Sequence, residues 1–180
     1  MRRTSPVLPP GWFSSQDAAE YRYLVNRLPD GATMVEVGVW LGRSLCTIAD
    51  LVKKKHLTVY AVDIFTKINA QGHPPVKGGQ RLMFDRNMAR FGLKPIVMAM
   101  PSMDVAVAFK GLADFVFFDA DHTYPAVLHE IAAWRLKTTR LMGGHDYNRD
   151  GFLHPGVKKA VDESFGSVHI RGAVWSSVLA

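Results

Sequence analysis

The stretch of sequence that most constrains the fold spans residues 34–63. Met34–Val39 is a short run rich in β-branched residues, and Gly42 follows it. Ser44–Lys55 then places apolar side chains at helical spacing, and Leu57–Val62 is a second apolar run. The order of strand, glycine turn, helix and strand indicates a βαβ unit, because neighbouring parallel strands need a crossover connection. The chain is therefore expected to build a parallel sheet.

The rest of the chain extends this pattern to about seven strands, with helices between the first five. Asp114–Phe118 is a continuous apolar run, typical of a strand buried on both faces. The sequence shows no internal repeat and no linker, so it predicts an α/β protein with a doubly wound sheet. We predict a flexible arm over residues 1–13 and a single domain over 14–180. Its first helix is predicted at Ser14–Leu28, with Ser15 as the N-cap.

Composition and charge narrow the range of partners. Lys and Arg number 22 against 16 Asp and Glu, which gives a formal net charge of +6, but the basic residues are scattered. Nucleic acid is therefore an unlikely partner. Cys46 is the one cysteine, so an internal disulfide framework is excluded. No apolar run reaches the ~20 residues that a membrane span needs, and the first ten residues do not resemble a signal peptide. We expect a cytoplasmic protein without a membrane partner.

Polar or glycine residues follow five consecutive predicted strands. In open parallel sheets, ligands bind in the crevice beyond the carboxyl ends of the strands. So many polar strand ends would be unusual in a purely structural domain, and we expect a binding site there. These residues are Glu36, Gly38, Asp63, Ser102, Asp119, Asp121, His122, His145 and Asp146.

The turn after the first strand indicates the kind of ligand. It is not the GxGxxG turn that cradles a pyrophosphate, and Glu36 before the first glycine would repel one. An acid there would attract an ammonium group instead. Asp63, at the end of the second strand, is placed to accept hydrogen bonds from ribose hydroxyls. Gly38 and Gly42 alone fit an ordinary tight turn equally well. The combination favours a nucleoside that carries a cationic amino acid, as S-adenosylmethionine does.

These residues resemble class I S-adenosylmethionine-dependent methyltransferases, and most closely the small O-methyltransferase-like group. Met34–Ser44 resembles the first motif of that group, E-V-G-x-x-x-G-x-S, and Val59–Phe65 resembles the second. Asp114–Tyr124 resembles the strand that ends in D-x-D-H-x-Y. Gly143–Tyr147 resembles G-G-H-D-Y, and Pro155–Phe165 resembles the stretch that follows it. The combination is specific, although each motif alone would not be, and the resemblance covers roughly residues 16 to 180.

The resemblance implies both a fold and a cofactor site. The fold is a Rossmann-like sheet of seven mostly parallel strands with an antiparallel last strand. Unlike larger members, the chain lacks a long N-terminal extension and a separate substrate domain. A small-molecule acceptor is implied, and a homodimer is one expected assembly. The implied cofactor-binding residues are Glu36, Gly38, Gly42 and Ser44 near the methionine end, Asp63 at the ribose, Ile64 and Ser102 flanking the adenine, and Asp119 beside the cofactor.

Two chemistries remain open for removing the proton from an acceptor hydroxyl. His122 is a candidate general base, because a histidine titrates near neutrality, with Asp119 and Asp146 as its catalytic neighbours. Alternatively, a divalent metal on Asp119, His145 and Asp146 would lower the hydroxyl pKa. The histidine in this set weakens the case for Mg²⁺ and favours Mn²⁺. Asp121 has a structural alternative as a helix cap, and His145 as a partner of a loop.

Two further functions and one mobile segment complete the expectations. The same scaffold could serve a different enzyme, because fold alone does not settle chemistry, or a non-catalytic cofactor-binding subunit. Residues 66–80 contain three glycines and two prolines between predicted elements. A loop of that length in a compact domain is often functional, so we predict a mobile lid over the substrate side.

Overall fold

The computed structural model describes residues 6–66, 78–148 and 153–179, and seven strands in these ranges form one sheet. The strands are β1 (Thr33–Val37), β2 (Thr58–Val62), β3 (Ile96–Met98), β4 (Ala113–Phe118), β5 (Thr138–Gly144), β6 (His169–Arg171) and β7 (Val174–Val178). Their order across the sheet is β3-β2-β1-β4-β5-β7-β6. The first five strands run parallel, and β7 lies antiparallel between β5 and β6. The predicted α/β class and the antiparallel last strand are confirmed.

Seven helices cover the two faces of this sheet within the described ranges. They are α1 (Ser15–Asn26), α2 (Arg43–Thr47), α3 (Ala49–Lys54), α4 (Gln80–Phe91), α5 (Ser102–Ala108), α6 (Tyr124–Arg135) and α7 (Pro155–Phe165). The helix predicted over Ser44–Lys55 is thus two helices that meet at Ile48. The Thr47 hydroxyl donates to the Ser44 carbonyl at 2.6 Å, a side-chain bond that competes with the helical ladder and bends helices.

The start of α1 lies one residue before the predicted cap. Ser14, not Ser15, is the N-cap, and it forms a capping box with Asp17. The Ser14 amide donates to Asp17 Oδ2 at 2.8 Å, and the Asp17 amide donates to Ser14 Oγ at 3.2 Å. Asp17 Oδ1 also accepts from the Ala173 amide at 2.9 Å, in the turn between β6 and β7. One carboxylate therefore joins the first helix to the last hairpin.

The core fills both faces of the sheet. Phe115 and Phe117 of β4 pack on one face, whereas Val116 and Phe118 pack on the other, and each is at most 5% exposed. This arrangement explains why the strand lacks polar alternation. The large aromatic side chains of Trp134 and Trp175 are fully buried. No helix in the described ranges is both long enough and apolar enough to cross a membrane.

The N-terminal segment lies against the domain where the structure describes it, from residue 6 onward. Arg43 at the start of α2 donates to the carbonyl of Pro9 at 2.6 Å and to that of Phe13 at 2.9 Å. The Phe13 side chain is 5% exposed and belongs to the core. The predicted flexibility of residues 1–13 stays a prediction. The predicted lid, residues 66–80, falls mostly outside the described residues.

The ends of β1 and β4 approach each other closely at Gly38. Its φ is +86°, and a Cβ built on it would lie 2.2 Å from the Asp119 carbonyl oxygen. Gly31 has a similar φ of +76°, but a Cβ there would meet nothing within 4 Å. The two glycines therefore share a backbone conformation and differ in the space around them.

We predict that Gly38→Ala destabilises the fold more than Gly31→Ala does. Both substitutions incur the left-handed backbone penalty of about 1–2 kcal/mol. Gly38→Ala adds a clash with backbone, which we expect to remove about 1–3 kcal/mol more. Urea unfolding of both variants gives the comparison. Equal losses of unfolding free energy would show that the strand ends can separate without cost.

Candidate active site

Backbone hydrogen bonds continue across the sheet for one residue beyond the strands. The Gly38 amide donates to the Val62 carbonyl at 2.8 Å, and the Asp119 amide donates to the Val37 carbonyl at 2.7 Å. The His145 amide donates to the Phe118 carbonyl at 2.9 Å. The ends of β1, β4 and β5 are therefore in register, and their next residues share one edge.

A cavity of about 810 Å³ opens beyond this edge. That volume suits a small-molecule or cofactor site, for which ~300–1,000 Å³ is usual. Most residues predicted from the sequence line it, namely Gly38, Ser44, Asp63, Ile64, Ser102, Asp119, His122, His145 and Asp146. Residues that the sequence reasoning did not assign to the site also line it, among them Trp12, Asp17, Trp40, Arg43, Glu130 and His154. Glu36 and Gly42 are not among the lining residues.

Glu36 lies behind the cavity wall. Its side chain is fully buried and accepts hydrogen bonds from the Tyr21 hydroxyl at 2.6 Å and from the Ser44 hydroxyl. Burial raises the pKa of Glu36 to about 8, although both hydrogen bonds lower it. The carboxyl group thus joins α1, β1 and α2. Its predicted contact with an ammonium group stays a prediction, and Ser44 is the residue of this set that faces the cavity.

Gly42 has a packing role next to the same turn. A Cβ at this position would lie 2.3 Å from Met88 Cε and 3.1 Å from the Phe84 ring, both on α4. The glycine therefore lets α4 pack against the turn. This packing favours the alternative in which Gly42 belongs to an ordinary tight turn.

Asp63 organises the turn that precedes α2. Its Oδ2 accepts from the Trp40 amide at 2.9 Å, and its Oδ1 accepts from the Phe65 amide at 2.8 Å and from Gln80 Nε2 at 3.1 Å. Burial raises the pKa of Asp63, although these hydrogen bonds lower it. The Trp40 ring packs against that of Trp12, with ring centroids 4.9 Å apart. Asp63 therefore lies at the cavity with an established structural role, and Gln80 is the partner that a ribose hydroxyl would replace most readily.

His145 is surrounded by three carboxylates. Its Nε2 lies 3.3 Å from Asp17 Oδ2, and its Nδ1 lies 3.6 Å from Asp119 Oδ1 and 3.3 Å from Asp146 Oδ1. Burial lowers the pKa of His145, but these carboxylates outweigh burial and raise it to about 12. The side chain is 6% exposed. His145 is therefore a buried cation that compensates the acids around it.

His122 and Asp146 form the closest ion pair at the cavity wall. His122 Nε2 lies 2.6 Å from Asp146 Oδ2, and both ring nitrogens of His122 are buried without a hydrogen bond of good geometry to the described residues. Burial lowers the pKa of His122, but Asp146 raises it more, so the net shift is upward. Burial favours a higher pKa for Asp146, yet His122 and His145 keep its pKa well below the usual range. His154 lies beside this pair, with its ring centroid 4.1 Å from that of His122.

Within residues 6–66, 78–148 and 153–179, two groups of side chains could hold a metal ion, and they share Asp146. Asp119, His145 and Asp146 form the predicted group, and His122, Asp146 and His154 form the other, each with donor atoms within 4.8 Å of one another. Each group mixes imidazole and carboxylate donors. Such a set suits Mn²⁺ better than Mg²⁺, which prefers oxygen ligands.

A hydrogen-bonded pair borders the cavity beyond β3. The Ser102 hydroxyl accepts from Trp134 Nε1 at 3.0 Å and donates to the Glu130 carboxylate. Burial raises the pKa of Glu130 to about 7. The signal for Glu130 in the sequence is an acid between Val127 and Ile131 on the core-facing side of a helix, where a charged residue is rare.

Asp121 is not the helix cap that was its structural alternative. Its Oδ1 accepts from the Thr123 amide at 2.7 Å, which shapes the turn before α6, and Thr123 is the N-cap.

Comparisons with known proteins agree with this geometry. A family model described as a methyltransferase domain matches residues 35–147. The chain is similar in structure to the O-methyltransferase from Bacillus cereus in complex with SAH, with 15% identity, a TM-score of 0.66 and coverage of 96% of this chain and 84% of that chain. Cofactor-bound Rv0187 from MTB is similar with 14% identity and a TM-score of 0.71, and the match covers 95% of this chain and 83% of that chain. An rRNA methylase from Streptococcus thermophilus is similar with 13% identity and a TM-score of 0.58, and the match covers 86% of this chain and 80% of that chain.

At these identities the likeness to solved structures concerns the fold alone. A search of curated protein sequences found no significant match.

We predict that Glu36 makes the fold less stable as the pH rises. The folded-state pKa of Glu36 is about 8 and lies above the ordinary glutamate value of 4.5, so the folded protein binds this proton more tightly than the unfolded chain does. Its contribution to stability is therefore complete below pH 4.5 and is lost as the pH rises through 8. Glu36→Gln, which mimics the protonated acid, should gain about 2–4 kcal/mol relative to the wild type between pH 5 and 8.

Urea unfolding at several pH values measures this difference. Glu163→Gln, which removes the charge of an exposed glutamate on α7, is the matched control. A Glu36→Gln difference that stays constant with pH would show that the buried carboxyl does not titrate in this range.

Proposed function

We propose an acceptor and a base for this chain, which belongs to the methyltransferase-domain family. It is an S-adenosylmethionine-dependent methyltransferase. The proposed acceptor is a hydroxyl group of a small molecule, and the proposed base is His122. The observation that carries this proposal is the 2.6 Å pair of His122 Nε2 and Asp146 Oδ2 at the cavity wall.

The cavity fits a cationic nucleoside cofactor in shape and charge. Carboxyl groups of Asp17, Asp63 and Asp119 line it, which suits a ligand that carries a sulfonium and an ammonium group. Asp63 would accept from the ribose hydroxyls, and Gly38 and Ser44 would lie at the methionine end. Bound S-adenosylmethionine supplies an electrophilic methyl group. The protein must then align the acceptor with it and exclude water.

His122 would take the proton from the acceptor hydroxyl through Nδ1, which is buried in this structure and would have to become accessible when the acceptor binds. Asp146 faces the other ring nitrogen, so it orients the imidazole and stabilises the imidazolium that forms. Asp146 is itself held by His145 from the opposite side. This arrangement of base and orienting acid is common in enzymes that deprotonate a nucleophile.

A divalent metal is the second form of this proposal. Asp119, His145 and Asp146 would hold it, and His145 would have to release its proton to bind the ion. The bound ion would lower the pKa of the acceptor hydroxyl. The mixed donor set makes Mn²⁺ the first ion to test. A chelator that abolishes activity, followed by recovery with Mn²⁺, would favour the metal, whereas chelator-resistant activity would favour His122 alone.

The acceptor is the least constrained part of the proposal. The described cavity ends at the protein's own N-terminal segment, which favours a small molecule. The rRNA methylase shares the fold, so RNA is included among the acceptors in the screen. A cytoplasmic location and a homodimer remain predictions that do not alter the chemistry. Transfer of a labelled methyl group to hydroxyl compounds, detected by mass, tests the proposal. Labelling of RNA alone would contradict it.

We predict that S-adenosylhomocysteine binds and raises the melting temperature, whereas NAD does not. A ligand at ~100 times its Kd should add about 2.7 kcal/mol of stability. Asp63→Ala should weaken the binding by about 1.5–3 kcal/mol, because a charge-assisted hydrogen bond to the ribose is lost. Thermal unfolding measures the change in melting temperature. Calorimetric titration measures the binding free energy of the wild type and of Asp63→Ala. Asp63→Ala that is folded and binds as tightly as the wild type would make Asp63 purely structural.

We predict that His122→Ala lowers kcat/KM by about 10²–10⁴-fold, the usual contribution of a general base. Asp146 raises the pKa of His122, so wild-type activity should rise with pH through that pKa as the imidazole becomes neutral. In Asp146→Asn the rise should move to lower pH. Steady-state rates from pH 5 to 9 give both profiles.

His56→Ala, at an exposed histidine after α3, is the control for loss of an imidazole. A His122→Ala, Asp146→Ala double variant that methylates its acceptor at the wild-type rate would place the site elsewhere.

A further inference from the structure

A second cavity, of about 600 Å³, lies apart from the candidate active site. It is a groove between the last turns of α1 and the strands β5, β6 and β7, and the two cavities share no described lining residue. Its volume lies within the ~300–1,000 Å³ that is usual for small-molecule sites. The proposed methyl-transfer mechanism uses none of the residues in this groove.

The register of the sheet explains how the groove is built. Leu141 of β5 pairs with Val178 of β7, and His169 of β6 pairs with Ser176 of β7. Directly paired residues share a face of the sheet, and so do alternate residues of one strand. Leu24 of α1 belongs to the same core cluster as Leu141. The C-terminal half of α1 therefore covers one end of this face, and the open part of the face becomes the groove.

The groove is lined by basic and hydroxyl side chains. Arg27, Arg140 and His169 line it, together with the hydroxyl-bearing Tyr23 and three serines. Among the described residues that line the groove, none is an aspartate or a glutamate. A concave surface with this charge raises the local concentration of anions. The side chains therefore point to an anionic ligand.

Both arginines are oriented and still have donors to offer. Arg140 Nε donates to Asp114 Oδ1 at 2.9 Å, and the other oxygen of Asp114 accepts from the Thr33 amide at 2.9 Å. Arg27 Nη1 donates to the Tyr23 hydroxyl at 3.1 Å. The other guanidinium nitrogens of Arg27 and Arg140 form no hydrogen bond to the described residues. A guanidinium has five N–H donors in a fork that matches phosphate oxygens, so both groups retain binding capacity.

An acid buried next to the groove is compensated from the edge strand. Glu20 of α1 is 1% exposed, and its Oε1 lies 3.3 Å from His169 Nε2. Its Oε2 lies 3.7 Å from Nη1 of Arg171, which is half-exposed. Arg27 forms no ion pair within the described ranges. The positive charge of the groove is therefore not cancelled by Glu20.

Apolar surface flanks the basic side chains. Val178 is 69% exposed and Tyr23 is 49% exposed. The Arg27 guanidinium lies over the Tyr23 ring, 5.5 Å from its centroid. A ligand whose anionic group meets the arginines can thus place an apolar body against Tyr23 and Val178. The groove matches an organic anion better than a free inorganic ion.

We propose that this groove is a second ligand site, which binds a phosphate monoester of a small apolar molecule. Arg27 and Arg140 donate to the phosphoryl oxygens, and Tyr23 and Val178 contact the apolar part. A phosphate monoester carries about 1.5 to 2 negative charges near pH 7, whereas a carboxylate carries one. Two arginines without a lining acid therefore favour the phosphoryl group. The site does not depend on the acceptor proposed above.

Calorimetric titration of the full chain with phenyl phosphate and with benzoate tests the proposal. Phenyl phosphate should bind saturably with a Kd of about 1 mM or less, and benzoate should bind about 5-fold or more weakly. Arg27→Gln and Arg140→Gln should each weaken phenyl phosphate by about 5-fold or more, because each removes charge-assisted hydrogen bonds. Arg86→Gln removes the same charge from an exposed arginine on α4 and should keep the wild-type Kd.

Amide NMR spectra of the wild type, recorded with S-adenosylhomocysteine present, give the location of the bound phenyl phosphate. Amides of residues 167–169 and 176–178 should shift, while those of Gly38 and Asp119 should not. Shifts at Gly38 and Asp119 alone would place the ligand in the first cavity and overturn the proposal. An equal loss of affinity in Arg86→Gln would show attraction by net charge only. Wild-type protein that does not bind phenyl phosphate saturably, or that binds benzoate as tightly, overturns the proposal without reference to any variant.

Discussion

The close approach of β1 and β4 is the constraint on which the rest of the site depends. Gly38 has no side chain, so the Asp119 carbonyl can lie where a Cβ would be, and the Asp119 amide can reach the Val37 carbonyl at 2.7 Å. With these two strand ends in register, β5 brings His145 to the same level. A larger residue at position 38 would separate Asp119 from the first turn. The site is thus built by backbone geometry before any side chain contributes.

The acids near the cavity divide into groups according to their neighbours. Glu36 is buried with two hydroxyl donors and only a weaker effect from His145, so burial dominates and its pKa rises to about 8. Asp146 is also subject to burial, but two histidines keep its pKa low. An acid that is neutral near pH 7 can join helices without a counterion, whereas an acid that stays ionised can orient a base. Local partners, more than depth of burial, therefore separate an acid suited to joining helices from an acid suited to orienting a base.

Periodicity and chain order explain what could be predicted. The alternation of strands and helices determines a parallel sheet, and parallel strands bring their carboxyl ends to one edge, so the convergence of Asp63, Asp119 and His145 follows from order alone. The partners of these residues do not. Tyr21 meets Glu36 from a helix 15 positions earlier in the chain, and Asp17 reaches His145 across 128 positions. Such contacts depend on how helices pack, which no local pattern specifies. Glu130 was missed for this reason.

The N-terminal segment forms one wall of the cavity. Gly11, Trp12 and Phe13 line the cavity, and Arg43 fixes their backbone through two carbonyl oxygens. Arg43 also belongs to the helix that begins just after the first turn. The Arg43 side chain therefore connects the N-terminal wall of the cavity to the turn that the cofactor would contact. Trp12 remains 63% exposed while its ring packs on Trp40, so apolar surface is available at the mouth of the cavity. Because an exposed aromatic face favours contact with apolar groups, we expect this wall to select acceptors with a flat apolar portion.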